Sequence, residues 1–214
     1  MSTYVVMDLE MCKVPKSARQ SFGSGTELIQ IGAVFMNDDY KVIKSFMTYV
    51  KPEFGRIDPF IENLTGISPA DVENAPTAAE ALKMFYDQLT EDSILVTWSD
   101  NDTRQIDDEL YFKDIDLPEL YDYLDHYIDC QLLFADKLLT DRKYRLSEAL
   151  TIANIDYAPG AHDALVDAKN TAMLFAKADT TDGSALCPYF MTPAQASGCI
   201  FNSFRPAVCY DRSM

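Results

Sequence analysis

Histidine and basic side chains are scarce in this chain of 214 residues. It has two histidines, and its 34 aspartates and glutamates outnumber its 18 lysines and arginines, so the net charge is −16. Proteins that hold a long nucleic-acid duplex normally neutralise its phosphates with a basic patch. The charge therefore argues against processive work on long duplexes. It favours short single-stranded ends or small oligonucleotides as the form of a nucleic-acid substrate.

The chain also lacks long apolar runs and paired cysteines. No apolar stretch approaches the roughly 20 residues that a membrane-spanning helix needs, and the N-terminus has no signal-peptide pattern. The five cysteines are odd in number and form no C-x-x-C pair, which indicates reduced thiols. We therefore expect a cytoplasmic protein with no membrane partner. A zinc site of Cys187, Cys199 and Cys209 is the alternative, although no histidine or fourth ligand lies nearby in the sequence.

The order of predicted elements favours an α/β fold with a mixed central sheet flanked by helices. Three strands come first and are joined by short links, and strands then alternate with helices. The predicted strands cover residues 3–12, 27–36, 41–50, 94–98 and 127–129, and the predicted helices cover 58–66, 77–90, 102–112, 130–139, 147–154 and 164–178. We expect one domain over 1–178. Residues 179–214 are expected to form a polar linker and an aromatic-rich tail that packs on the core or on a partner.

Two acidic residues interrupt the first predicted strand. Because side chains alternate between the two faces of a strand, Asp8 and Glu10 lie on the same face. Buried carboxylates are costly unless a cation binds them, and a hard divalent metal ion is the usual candidate. The pair therefore predicts a metal site at the end of this strand.

A third acid follows the fourth predicted strand, where Asp100 and Asp102 compete for the role. Asp102 begins an apolar helical stripe with Ile106 and Leu110, which would hold the start of the helix against the sheet. Asp100 instead has the charged Arg104 at that spacing. We therefore expect Asp102 in the site and Asp100 in the loop or at the helix cap.

The last acidic element combines a loop with a helix. His162 precedes the predicted helix, Asp163 is placed to cap it, and Asp167 lies in its first turns. His162 and Asp167 can therefore converge on one point. Together with the two earlier elements, they form the set of groups that metal-dependent phosphodiester hydrolysis requires.

Five segments carry a resemblance to a known family: Val6–Met11, Glu27–Val34, Leu64–Ile67, Val96–Asp102 and His162–Ala168. Through them the chain resembles the DEDDh-type 3′–5′ exonucleases of the DnaQ-like superfamily, which has the ribonuclease-H fold. The likeness is greatest to the KapD and histone-mRNA-trimming branch. It covers residues 3 to about 178, and the tail from about 180 to 214 has no recognised counterpart.

The resemblance implies a two-metal exonuclease that releases nucleoside 5′-monophosphates. Asp8, Glu10, Asp102 and Asp167 would hold two Mg²⁺ or Mn²⁺ ions, and neutral His162 would take a proton from the attacking water. The expected partners are 3′ ends of single-stranded RNA or DNA, or short oligonucleotides. Self-association through the tail is a further expectation.

The resemblance also implies substrate contacts, although purely structural roles for the same residues stay open. Met11, Leu64, Thr65 and Ile67 would form a wall for the terminal nucleotide, although Leu64 and Ile67 fit equally well as core or helix-end residues. The basic residues of the loop over 13–26 could meet phosphates or could simply be solvated. These basic residues are Lys13, Lys16 and Arg19.

Two other functions remain compatible with the sequence. The acidity of the chain supports a scavenger of very short oligonucleotides. A catalytically silent scaffold that binds a partner protein is the alternative from another class, and the aromatic tail is the feature that favours it. Nothing in the sequence distinguishes an RNA substrate from a DNA substrate, because no residue can be assigned to a 2′-hydroxyl.

Overall fold

The computed structural model describes residues 2–158, 160 and 162–187. Most of the predicted tail lies outside these residues, as do Cys199 and Cys209 of the zinc alternative. No helix in the described part of the chain is long and apolar enough to cross a membrane. Cys12 and Cys130 are buried free thiols. Burial raises the pKa of Cys12 to about 12, which keeps this thiol protonated.

One sheet organises the chain, and its strands are β1 (Thr3–Lys13), β2 (Thr26–Met36), β3 (Val42–Tyr49), β4 (Ser93–Thr97) and β5 (Ile128–Asp129). The strand order is β3-β2-β1-β4-β5. The first three strands are antiparallel neighbours, whereas β4 runs parallel to β1 and β5 runs parallel to β4. The predicted mixed sheet with three adjacent opening strands is therefore confirmed.

The helices of the described residues are α1 (Pro59–Thr65), α2 (Pro69–Glu73), α3 (Ala78–Tyr86), α4 (Asp100–Phe112), α5 (Tyr121–Leu124), α6 (Cys130–Lys137), α7 (Leu146–Ile152), α8 (Ala164–Thr180) and α9 (Gly183–Leu186). A 3₁₀ turn covers Pro118–Leu120. The sequence patterns miss α2, α5 and α9, because helices of four or five residues are too short to show an apolar period. Helix α8 continues two residues past the predicted end at residue 178, and α9 then places Leu186 in the core with no exposed surface, whereas the rest of the predicted linker and tail lies outside the described residues.

The sheet is covered on both faces, and the alternation along β1 decides which side chains meet which layer. Val5, Met7 and Leu9 pack into one apolar cluster with residues of α3 and α4. Val6 packs into a second cluster with residues of α6, α7 and α8, and this cluster includes Trp98, as expected of a core anchor. The face of β1 that Val6 shares with Asp8 and Glu10 is therefore the face toward α8.

Candidate active site

The two acids of β1 lie beside the helix that carries the last acidic element. Asp8 is half-buried and Glu10 is only 8% exposed. On the neighbouring strand, Asp8 pairs with Gly32 and Glu10 pairs with Gln30. These two β2 residues, to which the sequence analysis gave no role, determine how closely α8 approaches the acids.

Gly32 allows the backbone of α8 to lie directly on the sheet. A Cβ atom at this position would lie 2.2 Å from the carbonyl carbon of Ala164 and from the nitrogen of Leu165. Gln30 is fully buried and binds the same helix start, since its Oε1 accepts from the Ala164 N–H at 3.0 Å. Its Nε2 donates to Asp163 Oδ2 at 3.3 Å. A glutamine between apolar residues in the middle of a predicted strand is the sequence signal that could have identified this contact.

The third acid is supplied by α4. Ser99 caps this helix, and Asp100 and Asp102 both lie in its first turn, so the expectation that Asp100 lies in the loop or at the cap is wrong. The two differ in environment, because Asp102 is 6% exposed whereas Asp100 forms an ion pair with the exposed Arg104. A carboxylate in the first turn of a helix is stabilised by the positive end of the helix dipole.

The fourth acid and the histidine come from the start of α8. Asp163 caps the helix by accepting from the Val166 N–H at 3.0 Å, as predicted, and Asp167 follows in the first turn. His162 is exposed and has a φ of 64°, a left-handed conformation that is uncommon for a residue with a side chain. Its backbone N–H donates to Asp167 Oδ2 at 2.9 Å, which stabilises this turn.

The four carboxylates, here called the site acids (Asp8, Glu10, Asp102 and Asp167), affect one another electrostatically. Burial raises the pKa of Asp8 well above its usual range, and Asp102, Glu10 and Asp167 raise it further. Burial also raises the pKa of Glu10 to about 8, with further increases from Asp167 and Asp102. For Asp102, burial raises the pKa to about 7. Each charged group that shifts the pKa of Asp8 or Glu10 is itself an acid.

Such a donor set fits a divalent cation. One ligand atom each of Glu10, His162 and Asp167 lies within 4.8 Å of the others. Carboxylate oxygens are the ligands that Mg²⁺ and Mn²⁺ prefer, and a cation would relieve the repulsion that raises these pKa values. Asp8 and Asp102 interact with the same carboxylates and extend the site on its β1 and α4 side.

The apolar residues predicted to meet the terminal nucleotide differ in accessibility. Leu64 is 38% exposed and Met11 is half-buried, so both keep open apolar surface. Ile67 is 2% exposed and packs in a small core cluster. The Thr65 hydroxyl donates to the Ile61 carbonyl at 2.9 Å and accepts from the Ile67 N–H at 3.1 Å. Thr65 and Ile67 thus have structural contacts of their own at the end of α1.

The predicted basic residues lie at the end of β1 and in the loop that follows it. Lys13 is exposed, and its Nζ lies 4.3 Å from the ring centroid of Phe60, which is 58% exposed on α1. Lys16 is also exposed. Arg19 Nε donates to the Val14 carbonyl at 3.0 Å, so this side chain supports its own loop. The two lysines are therefore the better candidates for contacts with phosphates.

Known exonucleases are similar to this chain in sequence. A family model described as an exonuclease, RNase_T, matches residues 5–175. ERI1 exoribonuclease 2 from Danio rerio is 32% identical across 78% of this chain and 34% of its own length. The 3′-5′ exonuclease DinG from Staphylococcus haemolyticus (strain JCSC1435) is 30% identical across 71% of this chain and 16% of its own length. The chain thus spans about a third or less of these relatives.

Solved structures agree with this fold. A 3′-exonuclease in a structure of 3′-end-specific recognition of a histone mRNA stem-loop superimposes with a TM-score of 0.66 at 21% identity, over 82% of this chain and 80% of that one. E. coli Exonuclease I in complex with a dT13 oligonucleotide superimposes with a TM-score of 0.64 at 17% identity, over 84% of this chain and 41% of that one. The predicted ribonuclease-H-like α/β fold is confirmed.

Proposed function

Because the chain belongs to the RNase_T exonuclease family, we propose that it is a metal-dependent 3′–5′ exonuclease acting on single-stranded RNA or DNA and releasing nucleoside 5′-monophosphates. The observation that carries the proposal is the convergence of the site acids and His162 at one place on the sheet. That convergence uses residues from β1, α4 and α8, which are far apart in the sequence. Family membership supports the reaction class, and the site supports the chemistry.

The site acids are the proposed ligands of two Mg²⁺ or Mn²⁺ ions. When bound, such ions supply positive charge at the scissile phosphate and lower the pKa of a water molecule. The site acids would hold and orient these ions, and the raised pKa values of Asp8 and Glu10 indicate that positive charge among the carboxylates would be favourable.

His162 is the proposed general base. Its imidazole is exposed at the edge of the acid cluster, so it can reach a solvent molecule and return the proton to bulk water. The backbone of the same residue is tied to Asp167. Base and ligand are therefore held in one turn of the chain.

A preference for short oligonucleotides is the second candidate, and the charge favours it. With a net charge of −16, the chain has little excess positive charge to hold a long phosphate backbone, and the basic candidates Lys13 and Lys16 lie at and after the end of β1. Met11 and Leu64 are proposed to contact the terminal base through their open apolar surface.

We also propose a cytoplasmic location and self-association through residues 180–214. Measuring the molecular mass in solution of a chain that ends at residue 187 would test the self-association.

A gel assay with 5′-labelled single strands tests the proposed function. RNA and DNA of the same sequence, at lengths of a few to a few tens of nucleotides, would be incubated with Mg²⁺, Mn²⁺ or EDTA. We expect a ladder that shortens from the 3′ end only when metal is present, and a nucleoside 5′-monophosphate as the product in a parallel 3′-labelled reaction. The same lanes report the preferred sugar and length.

Matched variants connect that activity to the site. The double substitution Asp8→Asn and Glu10→Gln should abolish shortening, because it removes two proposed metal ligands. Asp100→Asn changes a neighbour of Asp102 that is paired with Arg104 on the surface, and it should keep activity. Loss of activity in Asp100→Asn together with retention in the double variant would contradict the assignment. If the wild type shortened no substrate with either metal, the alternative of a catalytically silent scaffold that binds a partner protein would be favoured.

A further inference from the structure

The Asp167 carboxylate receives a second hydrogen bond that the mechanism above does not use. The Tyr157 hydroxyl donates to Asp167 Oδ1 at 2.5 Å, while the His162 N–H donates to Oδ2 at 2.9 Å. Each oxygen of this carboxylate thus has one protein donor. Since a carboxylate oxygen can accept twice, each keeps capacity for a cation.

Tyr157 is itself fixed relative to α8. The N–H of the next residue, Ala158, donates to Asn170 Oδ1 at 3.0 Å, and Asn170 is fully buried three residues after Asp167 on the same helix. The Tyr157 ring packs against the apolar cluster that lies between the sheet and α8. The ring and hydroxyl of Tyr157 and the adjoining backbone are therefore all held in place against α8, which carries Asp167.

The resulting arrangement points the Asp167 carboxylate to the other metal-ligand candidates. Asp167 is 8% exposed, so it has little solvent to hold its carboxylate in place. One Asp167 oxygen lies within 4.8 Å of a Glu10 carboxylate oxygen and of a His162 ring nitrogen, which are the other candidate ligand atoms. Without the tyrosine hydroxyl, Asp167 would keep only the His162 N–H as a donor among the described residues.

We propose that Tyr157 is a positioning residue whose hydroxyl orients Asp167 for divalent-metal binding. The inference rests on the proposed function, because it takes Asp167 as a metal ligand. Groups that hydrogen-bond to metal ligands typically change metal affinity or activity by about 10–100-fold when they are removed. Tyr157→Phe deletes the hydroxyl and keeps the ring, so it isolates this contribution.

The test is the Mn²⁺ affinity of the full chain, measured by electron paramagnetic resonance of free Mn²⁺ without substrate. Tyr157→Phe should bind Mn²⁺ about 10–100-fold more weakly than the wild type. Tyr144→Phe is the matched control, since Tyr144 is a half-buried tyrosine of the same apolar cluster that contacts the Phe134 ring. The control should keep wild-type affinity. Melting in EDTA should be similar for all three proteins.

A double-mutant cycle separates positioning from general structure. In an Asp167→Asn background, Tyr157→Phe should cause no further loss of Mn²⁺ affinity, because the carboxylate it orients is gone. An equal loss in both backgrounds, or lowered melting in EDTA with unchanged Mn²⁺ affinity, would overturn the role of Tyr157. Equal affinity of wild type and Tyr157→Phe would overturn that role alone. No Mn²⁺ binding by the wild type would overturn the proposed function with it.

Discussion

Two groups of acids lie near each other along β1 and β2, which carry Asp8, Glu10 and Glu27, and the two groups differ in whether a protein cation contacts them. The site acids include Glu10 of β1, which pairs with Gln30 of β2. The paired acids, Glu27 and Glu109, are fully buried, and Glu27 pairs with Cys12 two residues further along β1. Of these two groups, only the paired acids contact a lysine among the described residues.

Lys113 is the cation of the paired acids. Its Nζ lies 2.7 Å from Glu27 Oε1 and 2.8 Å from Glu109 Oε2, and its side chain is 5% exposed. Backbone donors complete the set, since Glu27 accepts from the N–H groups of residues 53–55 and Glu109 accepts from the Leu28 N–H at 2.7 Å. The Phe22 ring covers the lysine, with its centroid 5.3 Å from Nζ.

The difference separates acids that hold the structure from acids that are available for chemistry. The paired acids share Lys113 as a protein cation and accept hydrogen bonds from backbone N–H groups, although one lysine serves two carboxylates and Glu109 Oε2 has only this ion pair. Among the site acids, burial raises the pKa values of Asp8 and Glu10, and Asp102 and Asp167 raise them further. A buried acid cluster without its own cation is a functional-site candidate for that physical reason.

The largest expected effect comes from breaking the paired group. Lys113→Met removes its cation and leaves two buried carboxylates, so the free energy of unfolding should fall by about 3–5 kcal/mol. Urea unfolding measures this. Lys41→Met, at an exposed lysine, should stay within about 0.5 kcal/mol of the wild type. A small effect at Lys113 would mean that the two acid groups do not differ in the way described.

A pH series in EDTA tests the site acids instead of the paired acids. Because the folded-state pKa of Glu10 is raised from 4.5 to about 8, the folded protein binds more protons than the unfolded chain across that interval. Stability should therefore fall as pH rises from about 5 to 8. The measurement is the melting temperature at each pH, and Glu10→Gln should flatten the decline. An unchanged slope in that variant would show that Glu10 does not carry it.

The smallest expected effect concerns the two exposed lysines near the site. Lys13→Ala with Lys16→Ala should raise KM a few-fold at low salt, and log KM should rise less steeply with log salt, by about 0.7 per lost phosphate contact on a single strand. Steady-state kinetics on a labelled oligonucleotide measures this. Lys41→Ala with Lys44→Ala, on the other side of β2, is the control for total charge. Equal shifts in both variants would leave only a general charge effect.

Features that depend on local pattern could be predicted from the sequence. The same-face placement of Asp8 and Glu10 follows from the pleat of one strand, and the capping of α8 by Asp163 follows from its position before an apolar period. The choice of Asp102 over Asp100 for burial follows from helical spacing.

Features that depend on the approach of distant segments could not be predicted. Gly32 matters because α8 lies against it, and Tyr157 matters because its loop returns to Asp167. In the sequence, Lys113 is one of several charged residues at the end of α4, and its role becomes visible only when the fold places Glu27 of β2 beside it. The burial of Ile67 depends on a small cluster under α1 that no sequence period reveals.

Within the described part of the chain the site acids have no protein cation, and we propose that they bind a divalent metal instead. The most direct test is the melting temperature of the full chain, titrated with MgCl₂ or MnCl₂ after treatment with EDTA. Metal at 100 times its dissociation constant should stabilise the fold by about 2.7 kcal/mol for each ion bound, and Asp8→Asn with Glu10→Gln should remove most of that gain. A melting temperature that neither metal changes would contradict the claim.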